Sequence, residues 1–213
     1  LQKTLSRILD GLILLIFILF FSSAGFQDRN TSGWYQQWFP NLNGSTIKDI
    51  TFLDSLTGFA VTNSTDSLQE YILRTTNGGD NWEINYTSSN TWGFIRVIST
   101  NSNTVFAVRS YTEILKTTNR GNNWQIIPLN IFCYDISILN NDTMLVANSS
   151  SFDGGVYRTT NGGYNWQLIW TNGSGGNPFS LYMYDKNMGF HNSGTYVRKT
   201  TNGGVNWIDF SGG

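Results

Sequence analysis

The chain has 213 residues and a formal net charge of −1, with aromatic residues (15%) outnumbering charged ones (13%), as expected where rings fill space between sheets. Near-neutral charge leaves no electrostatic footprint for nucleic acid or an anionic membrane. A single cysteine, Cys133, excludes an intrachain disulfide, and Cys133 with the lone histidine, His191, cannot assemble a His/Cys zinc site.

The first 24 residues read as a secretory signal peptide. Lys3 and Arg7 form a basic start, Gly11 to Phe21 is an eleven-residue apolar run, and Ser22-Ser23-Ala24 offers small residues for cleavage after Ala24. The run is too short for a stable span, so no membrane span is expected once it is removed. The alternative is an uncleaved anchor. Either way the remainder is expected outside the cytoplasm. Residues 25–45 form a polar lead-in, within which Trp34-Tyr35-Gln36-Gln37-Trp38-Phe39 resembles the later run Trp82-Glu83-Ile84-Asn85. We read Trp34 to Phe39 as a strand that closes a ring.

From residue 46 to 213 the chain writes one nine-residue box four times: RTTNGGDNW from Arg74, KTTNRGNNW from Lys116, RTTNGGYNW from Arg158 and KTTNGGVNW from Lys199. The starts lie 42, 42 and 41 residues apart, the signature of a repeat array. Each box separates two β-rich runs, and its Asn-Gly-Gly core suits the positive φ of a tight hairpin turn. The second Thr of the box, or its Asn, is expected to bond turn backbone. The closing Trp is expected to pack on the neighbouring unit. Aligned on Phe59, Phe106, Leu145 and Phe190, an inner strand A starts ten residues earlier in every copy, at Asp49, Arg96, Asp135 and Ser180. The segment from anchor to box varies, at 16, 11, 14 and 10 residues, with insertions at 63–70 and 148–154.

Four short strands, A to D, per forty residues predict an all-β fold. It is a β-propeller of four-stranded blades at about 46–90, 91–130, 131–176 and 177–213. Strand parity puts the A–B turns and boxes on one face and the B–C loops and D–A connections on the other. Asp49, Arg96, Asp135 and Ser180 are then expected to ring the mouth of a central channel. Four repeats plus a lone closing strand suggest part of a larger propeller of six or seven blades, a closed four-blade ring being the alternative. An open array would expose strand edges, so poor solubility or self-association is expected.

The pattern Thr75-x-Asn77-x-Gly79-x-Asn81-Trp82 resembles the Asp box, or BNR repeat. So do the sister sets Thr117, Asn119, Gly121, Trp124; Thr159, Asn161, Gly163, Trp166; and Thr200, Asn202, Gly204, Trp207. The longer unit, Asp49 through Gly79, is similar to the photosystem II assembly/stability-factor type of that repeat, over about residues 46–210. All four copies carry Asn where the Asp box has Asp. The resemblance implies a secreted bacterial β-propeller without catalytic groups or cofactors, acting as a protein-binding or assembly scaffold. It also implies that a basic patch could dock a partner, which brings forward Arg74, Lys116, Arg158 and Lys199. Aliphatic stems packed on the blades explain those four more simply.

Two other functions set expectations. A sialidase-like glycosidase needs converging arginines, and outside the leader and boxes only Arg29, Arg96, Arg109 and Arg198 remain; Asp49 and Asp135 lie on non-adjacent blades. A cell-surface glycan-binding module would need exposed flat rings on the variable face, for which Trp92, Phe152 and Trp170 are candidates. Candidate partner-binding residues are thus Asp49, Arg96, Asp135, Trp92, Phe152 and Trp170. Cys133, in an apolar run, reads as a small buried hydrophobe.

Overall fold

A computed structural model describes residues 36–64, 69–89, 92–111, 113–150, 154–171, 178–194 and 196–210. The chain divides into residues 1–36 and a second unit, 37–213, which holds every strand discussed below. The leader, Trp34, Phe152 and parts of the two predicted insertions (65–68 and 151–153) lie outside the described residues.

The second unit is all β: four four-stranded antiparallel sheets, each a meander of consecutive strands. Blade 1 is β1 (Thr46–Phe52), β2 (Gly58–Asn63), β3 (Glu70–Thr75) and β4 (Glu83–Ser88); blade 2 is β5 (Phe94–Ser99), β6 (Val105–Arg109), β7 (Glu113–Thr117) and β8 (Gln125–Pro128). Blade 3 is β9 (Asp135–Ile138), β10 (Met144–Asn148), β11 (Gly155–Thr159) and β12 (Gln167–Trp170); blade 4 is β13 (Pro178–Met183), β14 (Gly189–Ser193), β15 (Tyr196–Thr200) and β16 (Ile208–Phe210).

Strand A begins up to three residues before the predicted starts in blades 1, 2 and 4. The added residues carry a bulge, with the register shifting between Ile47 and Asp49, Phe94 and Arg96, and Pro178 and Ser180. One unpaired residue there bends the strand and re-aims the next side chain. Uniform spacing in the sequence hid it.

The core lies between blades rather than within any one. Phe59, Val61 and Ile72 of blade 1 pack on Phe94, Val97 and Leu115 of blade 2. Phe106, Val108, Ile114 and Ile127 pack on Ile136, Met144 and Val146 of blade 3, and Leu145, Ala147 and Val156 on Leu181 and Met183 of blade 4. Each blade thus stacks on the last through its inner strands. Among the described residues no comparable packing joins β13 back to β1, so the array is open. A closed four-blade ring is not what forms.

The predicted closing strand is absent among its described residues: Gln36 to Pro40 is irregular. Residues 37–40 still pack as a stand-in for a preceding blade. Phe39 lies 5.3 Å from Trp82, and Gln37 occupies the place beside Gly79 that Asn85 occupies beside Gly121.

Candidate functional site

The box face repeats one hydrogen-bond pattern. Thr75 Oγ1 accepts the Gly79 N–H (3.0 Å) and donates to Asn77 Oδ1 (2.9 Å), which also accepts the Asn81 N–H (3.0 Å). Thr117, Thr159 and Thr200 do the same with their own Asn and Gly. The first Thr of the box, not the second, makes these bonds, because strand C ends by turning that residue inward; Thr75, Thr117, Thr159 and Thr200 are all buried. One Asn oxygen takes both contacts, so Asn serves here without the charge of Asp. Each box also donates to the A–B turn of its own blade, as from Gly78 N–H to Leu56 O (2.8 Å), which puts both on one face.

Sequence reading missed the second repeated device on this face. Asp54, Asn101, Asn140 and Asp185 each accept two backbone N–H groups through Oδ1, closing an Asx turn between strands A and B. Either Asp or Asn fills that position, which hides the motif from a search for identity. Arg120, where the other boxes have Gly, holds a left-handed φ of 60°. Its guanidinium pairs with Asp54 and donates to Thr57 of blade 1 and to Ser102 O (2.7 Å), so a strained residue clamps two blades. The pairing holds the Asp54 carboxyl down, at about 2.

The closing tryptophans pack back on the preceding unit. Trp124 meets Phe59 edge-on (5.8 Å) and donates Nε1 to Asn85 Oδ1 (2.7 Å). Trp166 packs at the interface of blades 2 and 3, and Trp207 at that of blades 3 and 4. Three of the four basic residues opening the boxes also meet a neighbour. Lys116 Nζ donates to Asn141 O of blade 3 (3.2 Å) and Arg74 to Asn122 of blade 2 (3.4 Å), while Lys199 lies 5.9 Å from the Phe190 ring. Lys116 and Arg74 tie blades together.

The inner strands bring Asp49, Arg96, Asp135 and Ser180 into one chain of contacts. Arg96 reaches Asp135 (2.9 Å) and Asp49 (3.7 Å), and Asp135 accepts the Ser180 hydroxyl (3.2 Å). Asp49 Oδ2 accepts the Val97 N–H and Asp135 Oδ2 the Leu181 N–H, both at 2.9 Å, so each aspartate stitches its blade to the next. Arg96 remains partly exposed.

On the variable face, a buried ion cluster supports a surface of rings. Arg109, fully buried, faces Glu113 (3.0 Å) and Glu70 (3.6 Å) and lies over the Phe94 ring (4.1 Å). Desolvation raises the Glu70 pKa and lowers that of Arg109. Glu70 accepts the Phe94 N–H of the next blade (2.9 Å), and Arg109 Nη1 donates to Trp92 O (2.7 Å). Above this base Trp92, Tyr111 and Phe132 stack at 4.3 to 5.8 Å, and Tyr134 meets Phe179 at 5.7 Å. Trp92, Phe132, Tyr134 and Phe179 are exposed. Only Trp92 of these was singled out from sequence; the others come from separate loops that only the fold gathers.

Trp170 is not an open platform. One neighbour is the Arg198 guanidinium (5.1 Å) and another the His191 ring (4.4 Å). His191 is buried between Trp170 and Trp207, and burial pulls its pKa down to about 4. Cys133 is buried and its thiol pKa is pushed far up by desolvation. Among the described residues the non-box arginines do not converge: Arg109 is engaged by its glutamates, Arg198 by Asp209 (2.7 Å), and Arg96 by the aspartates. Among the described residues there is no cluster of His, Cys, Asp and Glu suited to a metal, and no helix long and apolar enough to cross a membrane.

The family described as Photosynthesis system II assembly factor YCF48 matches residues 27–207, most of the chain. The chain belongs to that family. Among solved structures, it is similar to YCF48 bound to D1 peptide (24% identity, TM-score 0.59, covering 84% of this chain and 59% of that one). YCF48 from Cyanidioschyzon merolae is similar at 20% identity and TM-score 0.60, with the same coverage. The GH74 enzyme of Niastella koreensis is similar at 14% identity and TM-score 0.62, covering 81% of this chain and 32% of that one. At these identities the likeness is one of fold, the BNR-type propeller. The chain spans about three fifths of the YCF48 chains it matches. No curated protein matches it.

Proposed function

We propose that the protein is a non-enzymatic, extracytoplasmic scaffold that binds a protein partner through its variable face. The observation that carries this reading is the set of exposed rings, Trp92, Phe132, Tyr134 and Phe179, assembled from different blades. Large rings that need little further ordering suit a polypeptide surface. Membership of the YCF48 family, in which one solved structure carries a D1 peptide, supports a protein as the ligand class. The rigid box face would hold the loops in place. Export would follow from the leader, and N-terminal sequencing of the mature protein should then begin at Gly25.

The test is capture of partners by the full chain and by a Trp92→Ser, Tyr134→Ser double variant. Both side chains are exposed, so the variant should melt close to the parent. Loss of one stoichiometric protein partner in the variant supports the reading. Capture unchanged by the substitutions, or retention of polysaccharide alone, rejects it.

A further inference from the structure

The seventh residue of a box reaches back to the preceding blade, and at one interface it has nothing to offer. Asn122, seventh in the second box, accepts from Arg74 of blade 1 (3.4 Å). Tyr164, seventh in the third, accepts from Gln125 of blade 2 (2.5 Å). Val205 holds that place in the fourth box, where Arg158 and Gln167 of blade 3 stand in the positions of Arg74 and Gln125. A valine side chain accepts no hydrogen bond. Arg74 and Arg158 both bury Nε without a partner, but Arg74 keeps its bond through Nη1, whereas Arg158 makes no hydrogen bond or ion pair among the described residues. The Arg158 guanidinium nevertheless reaches box 4, where a Cβ on Gly203 would stand 3.5 Å from Nη1.

Arg158, Gln167 and Val205 line a groove of about 430 Å³ between blades 3 and 4. Small-ligand sites span roughly 300–1,000 Å³. The groove lies between two consecutive blades, so neither end of the array forms a wall of it. Its polar groups are rich in donors: beside the guanidinium stand the amides of Gln167, Asn161 and Asn165 and the Thr160 hydroxyl. Asn161 spends its Oδ1 on the box turn, which leaves its amide N–H groups to donate. Among the described residues no carboxylate lines the groove, and Leu168, Ile169 and Val205 supply apolar surface.

We infer that this groove binds a small sugar acid, its carboxylate on Arg158 and its hydroxyls on the amides and Thr160. A guanidinium forks onto a carboxylate through two parallel hydrogen bonds. Amide and hydroxyl side chains both donate and accept, as sugar hydroxyls require. The C–H face of the sugar ring then covers Leu168, Ile169 and Val205. The ligand supplies at this interface the acceptor that Asn122 and Tyr164 supply at the other two.

Calorimetric titration of the full 213-residue chain with D-galacturonate, D-galactose and acetate tests this. Galacturonate should bind about tenfold more tightly than galactose, because the carboxylate contact is charge-assisted, and more tightly than acetate, which has no ring to place. Val205→Asn should give Arg158 the acceptor that Asn122 gives Arg74, weaken galacturonate binding about tenfold and melt no lower than the parent. Arg158→Gln should reduce galacturonate binding to the level of galactose. Trigalacturonate binding more tightly than the monomer assigns the site to an acidic polysaccharide, and equal or weaker binding assigns it to the free sugar acid; both support the inference. A parent that does not bind galacturonate overturns it. So does acetate binding as tightly, which means an adventitious ion only, or a Val205→Asn variant that binds like the parent. A hexaglutamate peptide that binds more tightly than either sugar acid gives the groove to a protein and overturns it equally. The groove and the Trp92 cluster share no residue, so each reading can fail without the other.

Discussion

The box face and the variable face use polar groups in opposite ways. On the box face the same three hydrogen bonds close every turn, all of them between residues no more than four apart in sequence. On the variable face a fully buried guanidinium, Arg109, serves two carboxylates, an aromatic ring and a loop carbonyl, whereas Arg198 of blade 4, also buried, pairs with one carboxylate, Asp209, that is itself exposed. Local bonds tolerate the loss of one copy because three others remain. A buried ion cluster has no such reserve.

That contrast sets the order of expected effects. Arg109→Ala should be the most damaging change, costing about 3–5 kcal/mol because Glu70 is left buried without its countercharge. Denaturant melts measure it, and an Arg109→Met, Glu70→Met double variant should recover much of the loss. Trp166→Ala should cost about as much, roughly 3–5 kcal/mol, by opening a cavity between blades 2 and 3. If Arg109→Ala proves mild, the comparison between the faces breaks.

His191 sharpens the comparison by pH. Its folded-state pKa lies near 4, below the value of about 6.5 for an unfolded chain, so the unfolded chain takes up the proton first. Stability is therefore full above pH 6.5 and falls as pH drops toward 4, by up to about 3 kcal/mol. His191→Gln should flatten that part of the thermal-melt profile.

The fold was legible because its signal is periodic. Thr75, Asn77, Gly79 and Trp82 recur at fixed spacing, so strand order and the face of the box followed from counting. The strand A bulges were not legible, since a bulge at Lys48 leaves the spacing from Asp49 to Phe59 unchanged. The ion cluster was not legible either: Glu70, Arg109 and Glu113 look like three ordinary charges until adjacent blades close over them. Most of the ring surface was hidden for the same reason, with Tyr111, Phe132, Tyr134 and Phe179 each commonplace in its own stretch of chain. Trp170 misled because position on the variable face says nothing of what covers a ring, and Arg198 and His191 cover this one.

Smaller effects belong to the box face. Arg120→Ala should cost about 1–2 kcal/mol, since it keeps the left-handed backbone and loses the clamp to Thr57 and Ser102. Arg120→Gly should stay within about 1 kcal/mol of the parent, because relief of that strain offsets the lost contacts. Asn77→Asp, which restores the Asp-box residue, should change stability by no more than about 0.5 kcal/mol, as the accepting oxygen is kept. Thermal melts of the three variants, run beside the parent, read these differences.

The central claim is that partner recognition belongs to the variable face while the boxes serve the fold. Cross-linking of the native protein in its own cells, with linked peptides read by mass spectrometry, tests it most directly. The account predicts links from one protein partner to the loops around residues 88–93, 110–113 and 131–134. Links concentrated on the boxes, around residues 76–81, 118–123 and 160–165, would contradict it.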